Sequence, residues 1–151
     1  MEMKDWVEVV ASVIGDGLLV FIIGLHFERR AKERESQNKH IVSIISEYQG
    51  YVKDACYSLQ RVSFVKEEEK GEILRKLFED IEQKIVPCYM LHEEMLSPLS
   101  KLHNEMINCA NDLLGAAKRH HVAAMNRYVN ETRTCLYTLS DECDKLIHKK
   151  V

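Results

Sequence analysis

Proline and glycine are scarce in this chain, two and six among 151 residues. Little in the sequence breaks a helix, so long helices are favoured over a sheet. No stretch sustains a period-two alternation between hairpin turn signals, which excludes a domain built from β-hairpins. There is no P-loop, no HExxH, no GxSxG and no glycine-rich dinucleotide loop. The chain is therefore read as a non-enzyme without a cofactor. A net charge of −3 gives no global pull on nucleic acid, and no duplex nucleic acid is expected as a partner. The five cysteines, Cys56, Cys88, Cys109, Cys135 and Cys143, are odd in number and contain no CxxC. They are expected as reduced, small core residues rather than redox or zinc ligands. The first residues, Met1 to Asp5, lack a basic n-region, and no small-residue cleavage site follows, so no cleavable signal peptide is expected.

The chain does have one long apolar stretch, Trp6 to Leu25, WVEVVASVIGDGLLVFIIGL. About 20 apolar residues suffice for one helix across roughly 30 Å of hydrocarbon. A single span in lipid must be helical, because lipid offers no partner to a free backbone N–H or C=O. Glu8, Ser12 and Asp16 recur at four-residue steps and share one helix face, with Ala11 and Gly15 beside them. A mid-bilayer carboxylate costs roughly 2.5–3.5 kcal/mol even on the lenient insertion scale. Two readings stand. Either several copies assemble with this stripe inward, so that Glu8, Ser12 and Asp16 line a pore or share protons across an interface, or the segment is a plain anchor with Glu8 at the headgroup level beside Trp6. Lys4 alone precedes the stretch, whereas Arg29, Arg30, Lys32, Arg34 and Lys39 follow it. That bias places the N-terminus outside and the C-terminal domain in the cytoplasm, as a single-pass protein of the cell's inner membrane.

Residues 26–40 are charged and rich in helix formers, and read as a juxtamembrane stalk whose basic residues meet anionic headgroups. Residues 41–151 read as a cytosolic helical bundle, so the fold class is all-α: one N-terminal transmembrane helix, residues 1–25 with its short outer end, then stalk and bundle. Ile41, Ile45, Tyr48, Val52, Ala55, Leu59 and Val62 alternate steps of four and three as a heptad seam, with Gly50 inside it and a helix end expected near Phe64 or Val65. Lys66 to Glu72 is expected as a polar turn. The next helix carries Ile73, Leu74, Leu77, Phe78, Ile81 and Ile85 on one side and closes at Pro87. Cys88 to Leu96 is expected as a short helix or irregular segment. Ser97-Pro98 reads as N-cap and first position of a helix bearing Leu99, Leu102, Met106, Cys109, Leu113 and Leu114. The pattern loosens after Gly115. It becomes regular again through Val122, Met125, Val129, Thr132, Leu136, Leu139, Cys143 and Leu146, either after a break or in one run.

Lys118, Arg119, His120 and His121, with Asn126, Arg127 and Tyr128 about two turns on, form the strongest ligand candidate. Cations and hydrogen-bond donors concentrate there where the helical pattern is weakest. Arg and Lys hold phosphates, Asn reads a base edge and Tyr stacks on it. The simpler reading is a helix C-terminus whose basic residues oppose the dipole. Lys101 and His103 could join the same surface. Cys88 and His92, one turn apart, could share an ion with His103 and Cys109; core or solvated side chains account for them as well. Arg34 and His40 match the spacing of an R-x(4–6)-H ribonuclease motif, in a charged segment where such residues are common.

The order of parts resembles the small membrane effectors of bacterial anti-phage immunity, in particular the CRISPR-associated membrane effectors gated by cyclic tetra-adenylate. The resemblance covers roughly the whole length and lies in the architecture rather than in a motif. It implies a homo-oligomer, such as a tetramer, in contact with membrane lipid. A cyclic oligonucleotide bound between its cytosolic domains would alter the membrane portion and stop growth. The rival expectation is a membrane-tethered helical interaction module with no small ligand.

Overall fold

The computed structural model describes residues 16–150, which are helical almost throughout, with no strand among them. The chain divides into two units, residues 1–40 and 41–151. Helix α1 is Asp16–Val62, 47 residues. In the first unit its surface is exposed from Phe27 to Gln37, and Lys39 pairs with Glu35 at 3.1 Å. Among the described residues no helix is long and apolar enough to cross a membrane. The first half of the expected span Trp6–Leu25, with Glu8 and Ser12, lies outside the described residues, and Asp16 is the first residue of α1.

The second unit is a helical bundle. From Ile41 to Val62, α1 presents its heptad seam to the core: Ile45, Tyr48, Val52, Ala55, Leu59 and Val62 are buried, and Ile41 packs at the margin. The helix ends at Val62, and Phe64 beyond it is 89% exposed. Helix α2, Glu67–Asp80, corrects the expectation of a polar turn over Lys66 to Glu72. Its first turn holds Glu67, Glu68 and Glu69, whose charges favour the positive end of the helix dipole, and the Lys66 carbonyl accepts from the Glu69 and Lys70 amides. Leu74 and Leu77 face the core.

Pro87 does not close this helix as expected. A π-helical turn over Ile81–Ile85 comes first, in which the Val86 amide donates to the Ile81 carbonyl five residues back. The extra residue widens the ladder where the proline ring would otherwise strike the preceding turn. Pro87 then sits in the first turn of α3, Val86–Leu91, followed by α4, Glu93–Leu96. Ser97 is not an N-cap either: its hydroxyl donates back to the Glu94 carbonyl at 3.0 Å, and Ser97–Leu99 form a 3-10 turn. Helix α5, Ser100–Lys118, and α6, Val122–Lys150, are separate helices packed on each other. Their stripes, Met106, Ala110 and Leu113 against Val129, Leu136, Leu139 and Cys143, are buried as the helical period requires.

Polar groups pin α1 within this bundle. The Tyr48 hydroxyl lies 2.6 Å from His103 Nδ1 on α5, and the Tyr89 ring of α3 stacks on the imidazole at 3.9 Å and 11°. Burial first, then neighbouring Cys143, Tyr89 and Cys88, push the Tyr48 phenol up, so it keeps its proton in the hydrogen bond it shares with His103. Gln49 Nε2 donates to the Ser140 carbonyl at 3.0 Å and to Asp144 Oδ1 at 2.6 Å on α6. An apolar seam fixes which face turns inward; these directed bonds fix how α1 is set along α5 and α6.

Candidate functional site

The turn between α5 and α6 is built by a residue that backbone sterics disfavour. After Lys118 the chain passes through Arg119 to His120, whose φ is 54°, the sole non-glycine residue with positive φ among the described residues. The His120 amide donates to the Ala117 carbonyl and the His121 amide to the Ala116 carbonyl, a Schellman closure of α5. Glycine is the usual occupant of that left-handed position, and any other residue there carries roughly 1 kcal/mol or more of strain. His121 then caps α6, its Nδ1 accepting from the Ala124 amide at 3.1 Å.

This turn forms one wall of a cleft of about 470 Å³ whose other wall is α2. Leu74, Phe78, Leu114 and Met125 give it an apolar floor, and Lys70, Arg75, Lys118 and His120 give it a largely basic rim that also holds the Glu67 carboxylate. Gly71 keeps the α2 side low, with nothing among the described residues within 4 Å of where its Cβ would stand. Two of the rim cations are already paired: Lys70 with Glu67 at 2.7 Å, and Arg75 with Glu72 at 2.9 Å and Glu79 at 3.5 Å. No ion pair among the described residues engages Lys118 or His120. A cleft with cations at its lip and hydrocarbon below suits an organic anion with a flat or apolar body.

Of the residues singled out in the sequence, the fold brings Lys118 and His120 to this cleft. Arg119 lies back along α5 beside Gly115, and His121 is engaged in the cap. Arg127 folds over its neighbour, with its guanidinium carbon 4.6 Å from the Tyr128 ring centre and Nη2 donating to the Tyr128 hydroxyl at 2.6 Å, while Asn126 is exposed. None of these lines the cleft. Lys70 was legible only as part of the expected polar turn Lys66 to Glu72 and Arg75 only as a polar-face residue, although Gly71, Leu74, Arg75 and Phe78 share one helical face and could have been read as a wall.

The other candidates separate. His103 is buried against Tyr48 and Tyr89, so it joins no surface with Lys101. Burial holds its imidazole down at about 4, hence neutral. No three His, Cys, Asp or Glu side chains converge as metal ligands among the described residues, Cys88, His92, His103 and Cys109 included. Arg34 and His40 are exposed. Neither a family model, nor a curated protein, nor a solved structure matches the chain.

Proposed function

We propose that the helical bundle is a sensor for an anionic ligand, bound in the cleft between α2 and the α5–α6 turn. In this reading the Trp6–Leu25 stretch tethers the sensor to a membrane as an oligomeric effector. One observation carries it: the basic rim of Lys118 and His120, set by a strained turn over the floor of Leu74, Phe78, Leu114 and Met125. Strained backbone persists where the surroundings hold it, and it gathers at binding sites. The rim suits phosphate oxygens and the floor suits a nucleobase, so a cyclic oligoadenylate is the ligand class to try first. Ligand binding that differs between two assembly states would then shift the membrane helices, with Glu8, Ser12 and Asp16 selecting cations.

The test is thermal denaturation of the full chain in mild detergent with cyclic di-, tri-, tetra- and hexa-adenylate and linear controls. A ligand at 100 times its dissociation constant adds about 2.7 kcal/mol to a folded state that alone binds it. A shift with one ring size, lost in Lys118→Ala, supports the sensor; no shift with any of them removes it.

A second observation favours the rival module. Tyr57 and Tyr137, 64% and 68% exposed, flank a shallow groove between α1 and α6 with Gln60 and Ser140. Exposed paired aromatics suit a protein partner. In that reading the stretch at Trp6–Leu25 only localises the bundle, and replacing it with an inert span leaves function intact.

A further inference from the structure

Cys109 on α5 and Cys135 on α6 stand with their sulfurs 3.5 Å apart, both half-buried. The other cysteines, Cys56, Cys88 and Cys143, are buried in the core. Sulfurs in a disulfide lie about 2.05 Å apart, so side-chain rotation has to close roughly 1.5 Å, with the pair already facing across two packed helices. We propose that Cys109 and Cys135 are a redox modification site that a small-molecule aliphatic disulfide converts to an intramolecular disulfide joining α5 to α6.

The chemistry balances in two exchanges. The Cys109 thiolate attacks one sulfur of the small disulfide, whose S–S bond breaks; a mixed disulfide forms on Cys109 and one small thiolate leaves. Cys135 then loses its proton to solvent and attacks Cys109 Sγ. The mixed S–S bond breaks and the second small thiol leaves. Two protein thiols are oxidised by two electrons in all, and the small disulfide is reduced to two thiols. Burial, the contact with Cys109 and the nearby Glu105 and Glu131 carboxylates push the Cys135 thiol up to about 12, and it takes the resolving step in these exchanges. Cys88 and Cys143 are pushed up by burial, to about 11 and about 12, and remain spectators. The site stands apart from the ligand cleft and does not depend on what the cleft binds.

Incubating the full chain in mild detergent with glutathione disulfide and mapping its peptides without reduction decides the matter. The expected result is a Cys109–Cys135 link within one chain and a melting temperature higher by about 10 °C, from closing a loop of this length in the unfolded chain. Cys135→Ser should stop at a glutathione adduct on Cys109. Retention of all five thiols, or a link that uses Cys56, Cys88, Cys143 or a second chain, overturns the proposal. The wild-type map is decisive even if the serine variant fails to fold.

Discussion

Lowering the pH should loosen this bundle through His103. Its imidazole is held down from 6.5 to about 4 by burial among Tyr48, Tyr89 and the core. Above pH 6.5 it is neutral in both the folded and unfolded chain and adds no pH dependence. Between pH 6.5 and 4 the unfolded chain takes up a proton that the folded chain refuses, so stability falls as pH falls through this window and levels off below it. The full difference corresponds to about 3 kcal/mol, of which about 2 kcal/mol falls between pH 7 and pH 4.5. Carboxylates titrate in the same range, so the assay is a comparison: urea unfolding of the wild type and of Tyr48→Phe/His103→Leu at pH 7 and pH 4.5. The double variant leaves neither an unpartnered phenol nor a titrating imidazole. The wild type should lose about 1–2 kcal/mol more than the double variant over that interval. His103→Leu alone should cost a further 1–3 kcal/mol or so at pH 7, because it orphans the Tyr48 hydroxyl. Equal losses in the wild type and the double variant would refute the assignment, as would an imidazole proton resonance of His103 that titrates near 6.5.

Three further outcomes follow from the same packing. Replacing His120 with Gly relieves the positive φ of 54° and should raise stability by about 1 kcal/mol in chemical denaturation, while weakening any anion bound in the cleft. Gly50→Ala should add about 1 kcal/mol, since nothing among the described residues lies within 4 Å of the new Cβ and the helix loses a flexible residue; a loss of stability would mean the face is packed. Thr132 Oγ1 is buried without a hydrogen-bond partner among the described residues, so Thr132→Val should stabilise by about 1–2 kcal/mol, and a destabilised variant would reveal a partner for the hydroxyl.

The sequence by itself determined the helical class and most of the inward faces. A side chain repeats its direction every three to four residues along a helix, so Ile45 through Val62 and Val129 through Cys143 carry their burial in their spacing. It also showed the period loosening after Gly115, where a run of cations and histidines interrupts it, but left a break and one continuous run both open; the structure has the break. Local bonding beyond the pattern was misread where short-range chemistry competes. Acidic residues opened α2 early, a π-turn carried the chain past Pro87, and Ser97 bonded backward rather than forward. What stands opposite what was decided only by tertiary structure. Tyr48 meets His103 from 55 positions away, and Cys109 meets Cys135 across two helices. Lys70 and Arg75 reach the turn of Lys118 and His120 because α2 packs beside it. Helical periodicity fixes the direction of a side chain about its own axis. The neighbour it finds there depends on how whole helices are set against each other, and that is fixed by the directed bonds and complementary shapes of residues far apart in the chain.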